Sequence, residues 1–124
     1  MSTGKRKKAS IKEAKVVLSI RKYFEKRYGK ANIDWNKIHV SPLHNRGFPD
    51  IVVFTPGGVW VIEAKAPGKK PTLLQRAKLH KIFNAGCANV HWVDCDPADA
   101  KLLYFRSVID DKIEFTSDAN SNTY

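Results

Sequence analysis

Between residues 10 and 28, Val17, Ile20, Phe24 and Tyr28 recur at helical intervals, while Lys15, Lys22 and Lys26 fall on the other side. This spacing predicts an amphipathic helix that begins at Ser10 and stops at Gly29. The period then shortens. Residues 51–54 and 59–62 are β-branched and aromatic, and Thr55, Pro56, Gly57 and Gly58 lie between them, which predicts a hairpin. With Pro56 and Gly57 as loop residues, a type II turn with positive φ at Gly57 is expected. Further strands are expected over 34–40, 89–94 and 110–115. A second helix is expected from the Thr72 cap to Gly86, with Leu79, Ile82 and Phe83 on one stripe, and a third over 97–105. Residues 1–9 are expected to form a disordered basic arm, 41–48 and 67–71 loops, and 116–124 a polar tail. The resulting fold class is α/β: a mixed β-sheet with a central hairpin, flanked by helices, the second helix crossing over between parallel strands within one domain spanning 10–115.

Composition supports a single folded unit. The chain has 124 residues, 14.0 kDa, with 43% hydrophobic and 27% charged residues, enough apolar material for one core. It holds no apolar run of membrane-spanning length and only two cysteines, Cys87 and Cys95. A soluble, intracellular (cytoplasmic) protein in a bacterial or viral-host setting is therefore expected. The net charge is +10. Residues 1–30 carry 11 basic side chains against Glu13 and Glu25, a net +9, which leaves +1 for the rest. A polyanionic partner, DNA above all, is the reading this suggests, the alternative being a basic tail that aids solubility. The acidic positions from Asp94 to Asp118 are expected to form a solvated surface away from DNA.

The hairpin also makes a chemical prediction. If Thr55 faces Gly58, Asp50 falls opposite Glu63, and like charges placed there repel. Period-two alternation puts Lys65 on the face of Glu63. A hard divalent cation, held by the two carboxylates and a backbone carbonyl such as that of Ala64, would relieve the repulsion. The alternative is an exposed hairpin end where Lys65, Arg46 and Lys69 neutralise the acids. Glu13 falls on the inward stripe of the first helix, although Ser10 and Glu13 also fit a capping box. Gln75 shares a stripe with Leu79 and Ile82, although Thr72 and Gln75 fit a second one. His44, Arg46, Lys69 and Lys70 flank the acids and are candidate phosphate contacts, with Lys5, Arg6, Lys7 and Lys8 adding a basic footprint. His80, Cys87, His91 and Cys95 do not have a zinc-site spacing. Trp35, Trp60 and Trp92 are expected in the core or at a dimer interface.

Gly47-Phe48-Pro49-Asp50, then Glu63-Ala64-Lys65, then Gln75 on the following helix, with Glu13 in an opening helix, resemble the VRR-NUC branch of the PD-(D/E)xK nuclease superfamily over residues 10–95. The resemblance implies a restriction-endonuclease-like core in which Asp50, Glu63, Lys65 and Gln75 are catalytic. Glu13, Asp50, Glu63 and the Ala64 carbonyl would hold Mg²⁺ or Mn²⁺, and Lys65 would position or polarise the attacking water. Short stand-alone members are similar to four-way (Holliday) junction resolvases that act as homodimers. The implied activity is thus a metal-dependent, structure-specific DNA endonuclease. Its alternatives are a nicking or strand-degrading nuclease without junction preference, and a noncatalytic nucleic-acid-binding module.

Overall fold

The structure, a computed structural model, describes residues 2–39, 47–96, 99–108 and 113–115, with side chains over 13–39, 47–95 and 102–108. Its elements are α1 (Ser2–Tyr28), a single 3₁₀ turn (Lys30–Asn32), β1 (Asp34–Lys37), β2 (Ile51–Thr55), β3 (Gly58–Ala64), α2 (Leu73–Asn84), β4 (Asn89–Asp96), β5 (Asp99–Ser107) and β6 (Ile113–Phe115). The described strands form one six-stranded sheet in sequential order. Every neighbouring pair is antiparallel except β3 and β4, which α2 joins as a parallel crossover. The α/β class and the crossover role of the second helix are as the sequence pattern implied.

Alternation along the strands divides the core between two faces. Ile51, Val53, Ile62, Ala64, Val93, Cys95, Leu103 and Phe105 are buried under α1, which contributes Val16, Ile20, Tyr23 and Phe24. On the opposite face Val61, Val90, Trp92 and Val108 cluster around Leu79, with Ile82 and Phe83 of α2 packed against them. Residues of one parity therefore support the sheet from α1. The other parity, Asp50, Glu63 and Lys65 included, faces the side of α2. Among the described residues no helix is long and apolar enough to cross a membrane.

Four expectations need correction. Helix α1 begins at Ser2, so residues 2–9 have helical backbone and Ser10 lies inside the helix instead of capping it. Lys, Arg and Ala are good helix formers, and extension of a helix already anchored at Val16–Phe24 adds one hydrogen bond per residue fixed. The third helix is instead strand β5. Leu103 and Phe105 are buried while Leu102, Tyr104 and Arg106 are half-buried, a period of two, and pairing with β4 rewards that alternation more than a helix would. The hairpin register is as expected, with Thr55 paired to Gly58 and Ile51 to Ile62. Positive φ, however, falls on Gly58 (112°) and not on Gly57. The Thr55 hydroxyl fastens this turn, accepting from the Gly57 N–H at 3.0 Å and donating to the Gly58 carbonyl at 2.8 Å. Finally, Asp94 is no part of a solvated surface: it is 5% exposed and ion-paired to Arg106.

Trp92 is buried within the chain's own core, one of the two places expected for it. The tail over 116–124 lies outside the described residues.

Candidate active site

Asp50 follows the buried Pro49 and stands one residue before the first β2–β3 pair, Ile51 with Ile62, so the hairpin brings it opposite Glu63. Both of its oxygens are occupied. Oδ1 accepts the Ala64 N–H at 3.0 Å, and Oδ2 is 3.3 Å from Lys37 Nζ. The paired register of β1 and β2, in which Lys37 stands opposite Ile51, delivers that lysine. Lys37 was not among the residues expected at the site, because the polar segment Asp34–Lys37 carries too little alternation to reveal its register.

Glu63 is 5% exposed at the end of β3. Its Oε2 accepts Gln75 Nε2 at 3.1 Å, while Oε1 is buried with no hydrogen-bond partner among the described residues. Burial, then the neighbouring Asp50 carboxylate, push its carboxyl up from the usual 4.5 to about 8; Lys65 and Lys37 oppose the rise and Glu13 adds to it. A buried carboxylate with an orphan oxygen favours either a proton or a cation.

Gln75 connects the remaining groups. Thr72 caps α2 by accepting the Gln75 N–H at 3.1 Å, and Gln75 Oε1 accepts the Thr72 N–H at 2.9 Å, so the capping box expected from the sequence is present. The same Oε1 accepts Lys65 Nζ at 3.2 Å. Two donors converging on Oε1 fix the orientation of the amide, which leaves Nε2 to donate to Glu63. The cap and the site are thus one construction, and the two readings of Gln75 are both satisfied. Gly47 brings the preceding loop against this helix end: at φ 78°, a Cβ there would lie 2.8 Å from the Leu74 carbonyl oxygen.

The structure brings Asp50, Glu63, Lys65 and Gln75 together, with the Ala64 amide securing Asp50. Glu13 is half-buried on the inward stripe of α1, three residues before Val16, close enough to act on Glu63 electrostatically. Among the described residues no three His, Cys, Asp or Glu side chains form a ready-made metal cage. Lys69 and Lys70 are exposed in the loop between β3 and α2. His44 and Arg46 lie outside the described residues, and for Lys5, Arg6, Lys7 and Lys8 only the helical backbone is described. Chemically, the site offers two carboxylates, one holding an unsatisfied oxygen, beside an ammonium held by an amide. In comparisons with known proteins, the chain matches no family model and no curated sequence.

Proposed function

We propose that this chain is a Mg²⁺- or Mn²⁺-dependent DNA endonuclease with a restriction-endonuclease-like core, of the VRR-NUC type its motifs resemble, acting on four-way junctions as a homodimer. The observation that carries this reading is the buried Oε1 of Glu63, without a hydrogen-bond partner among the described residues, beside the Asp50 carboxylate and two residues from Lys65. The donor set fits a hard divalent cation, since it consists of oxygen atoms whose charges repel until one is neutralised. Asp50, Glu63 and the Ala64 carbonyl would hold the ion, with Glu13 reaching it through water. When bound, it would supply Lewis acidity at the scissile phosphate and lower the pKa of water.

The chain's own residues do the rest. Gln75 holds the Lys65 ammonium at the edge of the carboxylate pair, where it donates to the attacking water or to a nonbridging phosphate oxygen as negative charge gathers there. Lys37 is ion-paired with Asp50 at 3.3 Å, and Glu63, whose carboxyl is pushed up by burial, is the carboxylate whose proton a cation must displace. Lys69, Lys70 and the basic residues of α1 attract the phosphate backbone without reading sequence. The reading puts the activity inside the cell, where Cys87 and Cys95 remain reduced.

Symmetric incision of a four-way junction needs two sites related by a two-fold axis, which a C₂ dimer of a one-site domain supplies. The test is incubation of the full chain with four-way, flap, duplex and single-stranded DNA, with and without Mg²⁺ or Mn²⁺, alongside sedimentation. Metal-dependent paired cuts in the junction by a species of twice 14.0 kDa are expected. Cutting by a monomer without junction preference would reduce the reading to a nickase. Binding of DNA without cleavage in either metal would overturn catalysis.

A further inference from the structure

Beside the carboxylate site, and on the same side of the sheet, lies a cavity of about 230 Å³ lined by Gly68, Lys69, Lys70, Arg76, Trp92, Asp94 and Arg106. Its position is fixed by register. Trp92 of β4 pairs with Glu63 of β3, and Arg106 of β5 pairs with Trp92, so Arg106 stands two strand spacings, about 10 Å, from the Glu63 backbone. Arg76 follows Gln75 directly on α2. Four cationic side chains line the cavity against one carboxylate, and that carboxylate is committed. Asp94, 5% exposed, accepts Arg106 Nε at 3.0 Å and Nη2 at 3.3 Å, which holds the guanidinium in one plane over the Trp92 ring, 4.9 Å from its centroid. Trp92 is itself 5% exposed, and its indole N–H is buried without a hydrogen-bond partner among the described residues. The cavity is smaller than the roughly 300 Å³ at which drug-sized ligand pockets begin, so it suits a single tetrahedral anion rather than a nucleobase or cofactor.

We infer that this cavity is a phosphate subsite that holds a non-scissile backbone phosphate of the strand whose neighbouring linkage lies at Glu63. The inference rests on the nuclease reading for the identity of the strand, and on the cavity alone for the anion. Phosphates rise about 3.4 Å per nucleotide along a duplex axis and stand further apart than that along the strand itself, so a phosphate in the cavity belongs at most about three nucleotides from the one at the carboxylates. Arg106, pinned by Asp94, supplies an oriented fork; Lys69, Lys70 and Arg76 supply mobile or helix-borne charge around it. The subsite would set which linkage reaches Glu63.

Inorganic phosphate is the first probe, titrated at low ionic strength into the full chain while the three indole N–H resonances of Trp35, Trp60 and Trp92 are followed by NMR, with chloride as control. A saturable shift confined to the Trp92 resonance is expected, weakened at least tenfold in Arg76→Gln and in the Lys69→Gln, Lys70→Gln double variant. Arg106→Gln strands the buried Asp94 carboxylate, so it is read only if its melting curve stays cooperative. The second arm uses DNA strands bearing one neutral methylphosphonate at successive positions. One position, at most about three nucleotides from the cut, is expected to weaken wild-type binding five- to tenfold and to leave the Arg76→Gln variant unaffected. No saturable phosphate shift, with DNA still cleaved, overturns the subsite and leaves the nuclease reading standing. Phosphate binding with no methylphosphonate effect at any position overturns the strand assignment. Phosphate binding by a chain that neither binds nor cuts DNA supports the anion site and overturns the nuclease reading.

Discussion

Gln75 donates its side-chain N–H to Oε2 of Glu63 at 3.1 Å while Oε1 of the same carboxylate is buried with no partner among the described residues. Half of the carboxylate is thus held in place and half is not. A purely structural glutamate would be satisfied at both oxygens, because an unpaired buried acceptor costs about 1–3 kcal/mol. That cost is tolerated here beside Asp50, the arrangement in which a cation would return the most.

Replacement of either acid separates chemistry from binding. Glu63→Gln or Asp50→Asn is expected to reduce Mg²⁺-dependent cleavage by at least about a hundredfold while junction affinity stays within about tenfold, since transition-state stabilisation is lost and the basic footprint is not. Parallel cleavage and gel-shift titrations check this. Cleavage at the wild-type rate by both variants would move the active site elsewhere.

The pH dependence of stability follows from the same carboxyl. Its folded-state pKa is about 8 against an ordinary 4.5, so the folded protein binds this proton more tightly than the unfolded chain. The stabilisation is fully present below about pH 4.5 and is lost as pH rises through about 8. Glu63→Gln cannot ionise. With chelator present, the melting temperature of Glu63→Gln relative to wild type is therefore expected to rise steadily between pH 5 and 9. Added Mg²⁺ should narrow the gap at high pH by binding the ionised wild type alone. A difference that stays constant across that range would contradict the assigned burial.

Gln75 can be tested against its own cap. Thr72→Ala removes one capping bond and is expected to cost about 1 kcal/mol. Gln75→Ala removes the reciprocal bond and also the partners of Lys65 and Glu63, so it is expected to cost about 1–2 kcal/mol more. Urea melts with unchanged slope give both values. Equal losses would reduce Gln75 to a capping residue.

Gly47→Ala probes the seam between the loop and α2. The residue sits at φ 78°, and an added Cβ would meet the Leu74 carbonyl oxygen at 2.8 Å and its carbon at 2.9 Å. Backbone on both sides must move, so a loss of about 1–3 kcal/mol is expected, with cleavage falling alongside as the helix bearing Gln75 shifts. A Gly47→Ala variant as stable as wild type would show that the loop adapts.

What could be read without coordinates was the part governed by local pairing. The register of the hairpin follows from four residues, Thr55 to Gly58, and that register alone brings Asp50 to Glu63 and sets Lys65 on the same face. Thr72 and Gln75 were legible because a capping box is a four-residue pattern. Lys37 and Arg106 were not, since each reaches its partner through a strand pairing whose register no local turn pattern announces: β1 with β2, and β5 with β4. Residues 97–105 misled for a related reason. Pro97 and the run Leu102 to Phe105 suit a helix locally, and only β4 alongside makes the alternation of Leu103 and Phe105 decisive. The acidity of Asp94 likewise signalled solvent until β5, by pairing Arg106 with Trp92 of β4, brought the guanidinium beside Asp94 and closed the ion pair.

The N-terminal charge gives the last prediction. Lys5, Arg6, Lys7 and Lys8 belong to helix α1, whose buried anchors begin at Val16, so residues 1–9 can be deleted without removing any of those core side chains. If these cations contact phosphates, the deletion is expected to weaken binding by a similar factor for four-way, duplex and single-stranded DNA, because backbone contacts carry little shape information. Each lost contact on a duplex arm should lower the salt slope by about 0.9, so the dependence becomes shallower by as much as about 3.6 if all four engage. Any junction preference should survive. Selective loss of junction binding would recast the start of α1 as a junction-reading element, and unchanged affinity for every DNA would leave it a solubilising segment.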